Sequence, residues 1–341
     1  MYRPSRRCGV TLRKTLLRGL LPASGVLLVV AVAGLLVGAG DIGPARAAEV
    51  VLGGGDADAR FTVLELRLPR TVVAIAVGVA LGVAGAVLQA TARNPLAEPG
   101  LLGVSAGASF AVVLAIVLGA SATTVAPYVA VLGAAAGCLL ALGAARLRGA
   151  GDDPVRLVLA GAAFSGLMGA ASSVLLLANQ RAADEIRFWT VGSVAGRDTD
   201  DLLAVLPVLL LGLVVAVAVS PALSALTLGD DVATGLGHRP RRVRAAAVTS
   251  VALLVGGATA IAGPVAFVGL VVPFVARALV GPDLRRLLAV SVLLGPAVVL
   301  LADVVSRLVV RPYEMPLGVM TALFGAPVLV AVVRSSRLPA L

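Results

Sequence analysis

TAIAGPVAFVGLVVPFVARALVGPDLRR, residues 259–286, decides the class of this protein. The stretch is almost wholly apolar, yet it is broken by Gly263, Pro264, Gly269, Pro273, Gly281 and Pro282. A soluble core helix does not tolerate that many breaks, because proline removes a donor and clashes with the preceding turn. In a membrane bundle, neighbouring helices re-satisfy the freed backbone groups. The pattern predicts two spans meeting at a sharp corner at Gly263-Pro264. The second span is short and ends in Arg277, Arg285 and Arg286. Short, interrupted spans are where transporters build their pathways.

Working outward, composition supports a membrane protein. Of 341 residues, 59% are hydrophobic and 13% charged, against about 25% charged in soluble domains. The 39 glycines suit close helix packing in lipid. A net charge of +10 would suggest nucleic acid in a soluble chain. Here the arginines fall in short runs between apolar stretches, which is an orientation signal, and 3% aromatic residues leave no stacking platform for single strands. Two cysteines, Cys8 and Cys138, and one histidine, His238, give no disulfide framework, metal cluster or cofactor site. The only lysine, Lys14, follows no glycine-rich loop. The chain therefore holds no GxxxxGK[ST] phosphate loop, and any ATP must be bound by another subunit.

Apolar runs near the 20 residues needed to cross hydrocarbon fall at 16–40, 69–92, 100–120, 124–147, 155–178, 202–220, 245–263, 265–280, 287–308 and 316–334. This predicts an all-α integral membrane protein of about ten helices. It forms one transmembrane domain over 1–341, with a basic tail at 1–15, a first half at 16–178 and a second at 202–335. With both termini cytoplasmic, the inner segments hold 19 of the 28 basic residues and six of the 18 acids, as the positive-inside rule requires. Ala45-Arg46-Ala47 imitates a signal-peptidase site, but the run before it is too long for a signal h-region, so the first span is expected to stay attached. The segments 82–105 and 256–273 echo one another in opposite orientation. An inverted repeat and a shared glycine bias both account for this. No Asp, Glu, Lys or His falls mid-span, which speaks against an ion-coupled secondary carrier.

Three polar regions stand out. Asn94-Pro95-Leu96-Ala97-Glu98-Pro99-Gly100 is expected as a turn on the cytoplasmic side, its prolines holding the chain extended. The loop 226–244 is expected to carry a short helix. Asp230 and Asp231 suit its start and Gly235 and Gly237 its end, while Val232, Ala233 and Leu236 share an apolar face. Pro240 suits the first turn of a second short helix. A solvated loop needs no such face, so this one is expected to dock a partner. Arg67 and Arg70 lie three apart before the second span, and Asp303 and Arg307 have the i, i+4 spacing of an ion pair.

RLPRT at 67–71, NPLAEPGLLGVSAGA at 94–108, LGDDVATGLG at 228–237, GPVAFVGLVVP at 263–273 and ADVVSRLVVRPYEMPLGVMTALFGAPV at 302–328 together resemble the FecCD family. These are permeases of type II ABC importers for ferric siderophores, haem and cobalamin. The resemblance implies two permease subunits (a second copy or a paralogue), two ATPase subunits and an extracytoplasmic binding protein. It matches Arg67, Arg70 and Arg307 to arginines that receive the binding protein's carboxylates. It places ATPase coupling on Leu228, Gly229, Asp230, Asp231, Ala233, Leu236 and Gly237. Gln89, Asn94, Pro95, Ser105, Gly263 and Pro264 fall on the pathway or its gate. Phe274 departs from the histidine usual in the family after the VVP proline, while Arg277 stays. The implied function is a non-enzymatic transport subunit for an iron–siderophore complex, with haem or cobalamin as the alternative cargo.

Overall fold

A computed structural model describes residues 6–120, 122–146, 154–186, 189–311 and 313–334. Parts of the basic tail, of the loop at 147–153 and of the C-terminus that enter the charge asymmetry lie outside the described residues. Among the described residues every regular element is helical. In chain order they are α1 (Arg6–Leu36), α2 (Pro44–Val51), α3 (Ala57–Arg60), α4 (Leu68–Ala92), α5 (Val104–Val117), α6 (Ala122–Arg146), α7 (Pro154–Ala178) and α8 (Gln180–Ile186). Then come α9 (Thr199–Thr227), α10 (Asp230–Gly235), α11 (Pro240–Ala262), α12 (Val268–Val280), α13 (Leu284–Val309) and α14 (Leu317–Arg334). A π-helical turn, Phe61–Arg67, joins α3 to α4, and a 3₁₀ turn, Pro99–Leu102, precedes α5.

Among the described residues, six helical segments are long and apolar enough to cross a bilayer, and four shorter apolar helices accompany them. Each overlaps one of the expected runs, and those at 57–92, 199–227, 240–262 and 284–309 extend beyond it, because in hydrocarbon every backbone group must be paired within its own segment. Polar side chains set several starts. Asp198 accepts the Asp201 N–H at 2.9 Å before α9, and Asp283 accepts that of Arg286 at 3.0 Å before α13. Pro240 opens α11 itself rather than a separate short helix, since its fixed φ suits the first turn of any helix.

Helix α4 is the centre, packed on α9, α11, α12 and α13. Small residues permit the approach: a Cβ on Gly85 would lie 1.9 Å from the Gly269 carbonyl oxygen of α12. The two expected repeat segments take matching shapes. Helix α4 is followed by an irregular turn, then Gly103 at φ 78°, then the half-length α5. Helix α11 is followed by an irregular turn, then Phe267 at φ 67°, then the half-length α12. The first turn does not stay at one face of the bundle. It begins there with Arg93 and Asn94, both exposed, and climbs back inside. Pro99 abuts Gly269, and the Ser105 hydroxyl lies 3.4 Å from that of Thr259.

Candidate functional site

The functional residues fall into three places: a charge cluster at the N-terminal end of α4, a second cluster at its C-terminal end, and a groove along α14.

At the first end, helix α1 stops and leaves its last carbonyls without intrahelical partners. Arg67 donates to the carbonyls of Leu35 (3.1 Å), Leu36 (2.9 Å) and Ile42 (2.9 Å). Arg307 donates to those of Gly34 (2.9 Å) and Val37 (3.2 Å) and pairs with Asp303. Cations here also complement the helix dipole. Arg70 reaches Asp303 Oδ1 at 2.7 Å and Glu314 Oε2 at 2.7 Å. Asp303 is 0% exposed, Arg307 1% and Arg67 5%. The Asp303–Arg307 pair forms as its i, i+4 spacing predicts. The exposed patch expected of Arg67, Arg70 and Arg307 does not form within this chain. Two of the three guanidiniums are sealed inside, capping α1, and only Arg70 keeps an accessible edge. Exposed arginines at this end include Arg46, Arg60 and Arg311.

At the other end, Arg93 donates to Asp230 Oδ1 at 2.6 Å and to the Leu226 carbonyl, and Arg244 binds both Asp230 oxygens at 2.7 and 2.8 Å. Partial burial pushes the Asp230 carboxyl up. The guanidiniums of Arg244 and Arg93 outweigh it and hold the group below its ordinary value. Helix α10 ends as expected. Gly237, at φ 83°, donates to the Thr234 carbonyl at 2.9 Å, and His238 to that of Ala233 at 3.0 Å, the paired bonds of a Schellman cap. One expected residue turns the other way. Ala233 is fully buried against the bundle, whereas Leu228, Val232 and Leu236 are exposed. The apolar face open to a partner is therefore Leu228, Val232 and Leu236, because a six-residue helix lying on the bundle hides the side facing it.

The groove is apolar, open on one side and about 1210 Å³ in volume. Gly318, Ala322, Ala326, Val330 and Arg334 of α14 form one wall and Thr190, Val191, Pro264 and Ala266 the other. The corner at Gly263-Pro264 builds that second wall. A Cβ on Gly263 would lie 2.1 Å from the Trp189 carbonyl oxygen, and one on Gly318 2.1 Å from that of Val191. Ser193 N–H bonds the Ala262 carbonyl at 2.8 Å, fixing the junction. Of the expected pathway residues, Pro264 lines the groove and the buried Gly263 supports it. Gln89 is buried elsewhere, within 3.0 Å of Arg277 and 3.4 Å of the Leu270 carbonyl. Asn94 accepts the Leu96 N–H at 2.9 Å in a local turn, with Pro95 beside it, and Ser105 faces Thr259. The lining from α14 was missed by sequence reasoning. Its signal, small residues at 318, 322 and 326 spaced four apart, was present.

The mid-span charge inventory also changes. Glu98, read as part of a surface turn, is carried into the bundle, and Arg277 is 5% exposed. A missing buried ionisable group therefore no longer argues against an ion-coupled carrier. The comparisons with known proteins do.

The FecCD transport family matches residues 26–335. The ferric enterobactin transport system permease protein FepD of Escherichia coli (strain K12) is 42% identical over 316 residues, 92% of this chain and 94% of that one. The Fe(3+) dicitrate transport system permease protein FecC of the same strain is 39% identical over 277 residues, covering 80% and 82%. A metal-chelate type ABC transporter solved in an inward-facing conformation superposes with a TM-score of 0.80 at 29% identity, covering 94% of this chain and 99% of the other. With the all-helical bundle, its interrupted spans and its glycine-built groove, these likenesses establish a multi-pass membrane permease that belongs to the FecCD transport family.

Proposed function

We propose that this chain is the permease subunit of an ATP-driven importer that carries an iron–siderophore complex across the cytoplasmic membrane. The observation that carries the reading is the groove: an apolar wall of small side chains, open along one side, at the junction of the interrupted α11–α12 corner with α14. A second permease, a copy or a paralogue, would close the open side and complete a pathway. Walls of Ala, Gly, Val and Leu grip cargo weakly. That suits passage, and it leaves selection to a separate binding protein. The iron-chelate relatives favour a siderophore over haem or cobalamin.

The charge asymmetry supports cytoplasmic termini, which puts α10 on the cytoplasmic side. There the exposed Leu228, Val232 and Leu236 would enter an ATPase subunit, positioned by Gly229, Asp230 and Gly237. Asp231 adds charge at the start of α10. The opposite end would receive the binding protein, through the accessible edge of Arg70 and the exposed Arg60 and Arg311. Arg67 and Arg307 would act indirectly by holding α1.

The test is uptake into proteoliposomes containing this chain, its partner permease and ATPase, with the binding protein supplied outside. Radioactive iron offered as a catecholate or hydroxamate chelate should enter only with internal ATP. Uptake of haem or cobalamin without iron-chelate uptake would overturn the cargo assignment, and ATP-independent uptake would overturn the class.

A further inference from the structure

Two ionisable groups carried into the bundle lack a counter-charge. Glu98 faces the backbone N–H groups of Gly100 and Phe267, and its Oε2 is sealed from solvent without a hydrogen-bond partner. Arg277 donates one terminal nitrogen to Gln89 Oε1 at 3.0 Å, and its other terminal nitrogen has no partner. Among the described residues neither joins an ion pair. An isolated buried charge is costly, so each needs a physical reason to be there.

Helix α12 supplies one reason for both. Phe267 is its N-cap, so Glu98 sits at the helix N-terminus, while Arg277 occupies the last turn. Peptide dipoles place partial positive charge at a helix start and negative charge at its end. A carboxylate at the first and a guanidinium at the second are the favoured signs, and burial leaves them poorly screened. Phe267 is also a bulky residue at φ 67°, a backbone state that survives only where its surroundings enforce it. Its N–H faces Glu98, and its side chain is wedged against α14, where a Cβ on Gly325 would lie 2.3 Å from the Phe267 Cβ.

We propose that Glu98 and Arg277 are positioning residues that hold the half-helix α12 by its two ends, so that Pro264 and Ala266, just before it, keep their place in the groove wall. The structural part stands alone, and its link to transport rests on the pathway reading of the groove.

The test uses the assembled permease–ATPase complex in lipid nanodiscs. Hydrogen exchange is followed in a peptide spanning 264–272, and thermal midpoints are measured for Glu98→Gln, Arg277→Gln and the double variant. Exchange should rise at least tenfold in each single variant, with peptides from α10 unchanged. The double variant should lose about the sum of the two single losses in midpoint, since the two groups act at opposite ends of a 13-residue helix. Unchanged exchange in either single variant, or unchanged midpoints, would overturn the proposal. Should Glu98→Gln not assemble, the wild type still decides: the Phe267 amide should exchange as slowly as the interior of α12, and fast exchange there refutes the clamp. Glu98→Gln should also slow iron-chelate uptake at least tenfold. A wild type that carries no iron chelate would strike the pathway reading and leave the exchange result intact.

Discussion

Asp303 and Asp230 sit at opposite ends of the bundle, and each carboxylate is held between two guanidiniums. Asp303 lies between Arg70 and Arg307, and Asp230 between Arg93 and Arg244. The chemistry is the same and the surroundings are not. The Asp303 side chain is 0% exposed and that of Asp230 43%. Breaking a buried pair strands a charge and costs about 3–5 kcal/mol, whereas an exposed pair is worth about 0.2–1 kcal/mol. The first cluster should therefore fasten the fold. The second should matter little to stability and remain free to serve a moving contact.

Asp303→Ala tests this most severely. It leaves Arg307 buried without its anion and Arg70 with Glu314 alone, and the purified protein should lose most of its thermal stability or fail to accumulate. A midpoint close to wild type in detergent would mean that water reaches the cluster and the contrast is false. Arg67→Ala should follow, at about 1–3 kcal/mol, because the carbonyls of Leu35, Leu36 and Ile42 lose their donor. Its signature is faster hydrogen exchange at the end of α1, and Arg67→Lys should not restore it, since one ammonium cannot span the same fork of acceptors.

Asp230→Asn should shift the midpoint only slightly at neutral pH. The folded carboxyl is held below its ordinary value, so its contribution is present above an unfolded pKa of about 3.9 and fades as pH falls through the lower folded one. The difference between variant and wild type should accordingly begin to shrink near pH 4 and vanish only once the pH lies below the lowered value of the folded carboxyl. A difference that persists there would assign the effect to something other than the charge. The smallest effect on stability belongs to Leu236→Arg, which changes an exposed side chain. Its midpoint should match wild type while ATP hydrolysis no longer responds to the loaded binding protein. Ala233→Arg should instead lower the yield, because its site is fully buried. Equal behaviour of the two variants would return α10 to the status of a plain loop.

Much of the fold is legible in the sequence. The apolar runs fall on helices because, in lipid, a segment's length and hydrophobicity settle its structure locally. The Asp303–Arg307 pair and the Gly237 cap follow from spacing alone for the same reason. The arginine triad is legible as a set of residues but not as a surface. Nothing at 67 or 307 announces the carbonyls of residues 34–42. Arg70 meets an aspartate 233 positions away and Arg307 a carbonyl 273 away. The face of α10 was misjudged at Ala233 because six residues offer less than two turns, too little for periodicity to say which side lies down.

By itself the sequence determined that this chain is a helical membrane permease of its family, and where its spans break. Those properties depend on local hydrophobicity, on proline and glycine, and on contiguous motifs. Only the tertiary structure decided which charges are buried, that the turn at 94–103 climbs back among the helices with Glu98, and that α14 and the Gly263-Pro264 corner share one groove. Burial and pairing are properties of the environment, supplied by helices distant in the chain, and a residue's own neighbours in sequence do not contain them.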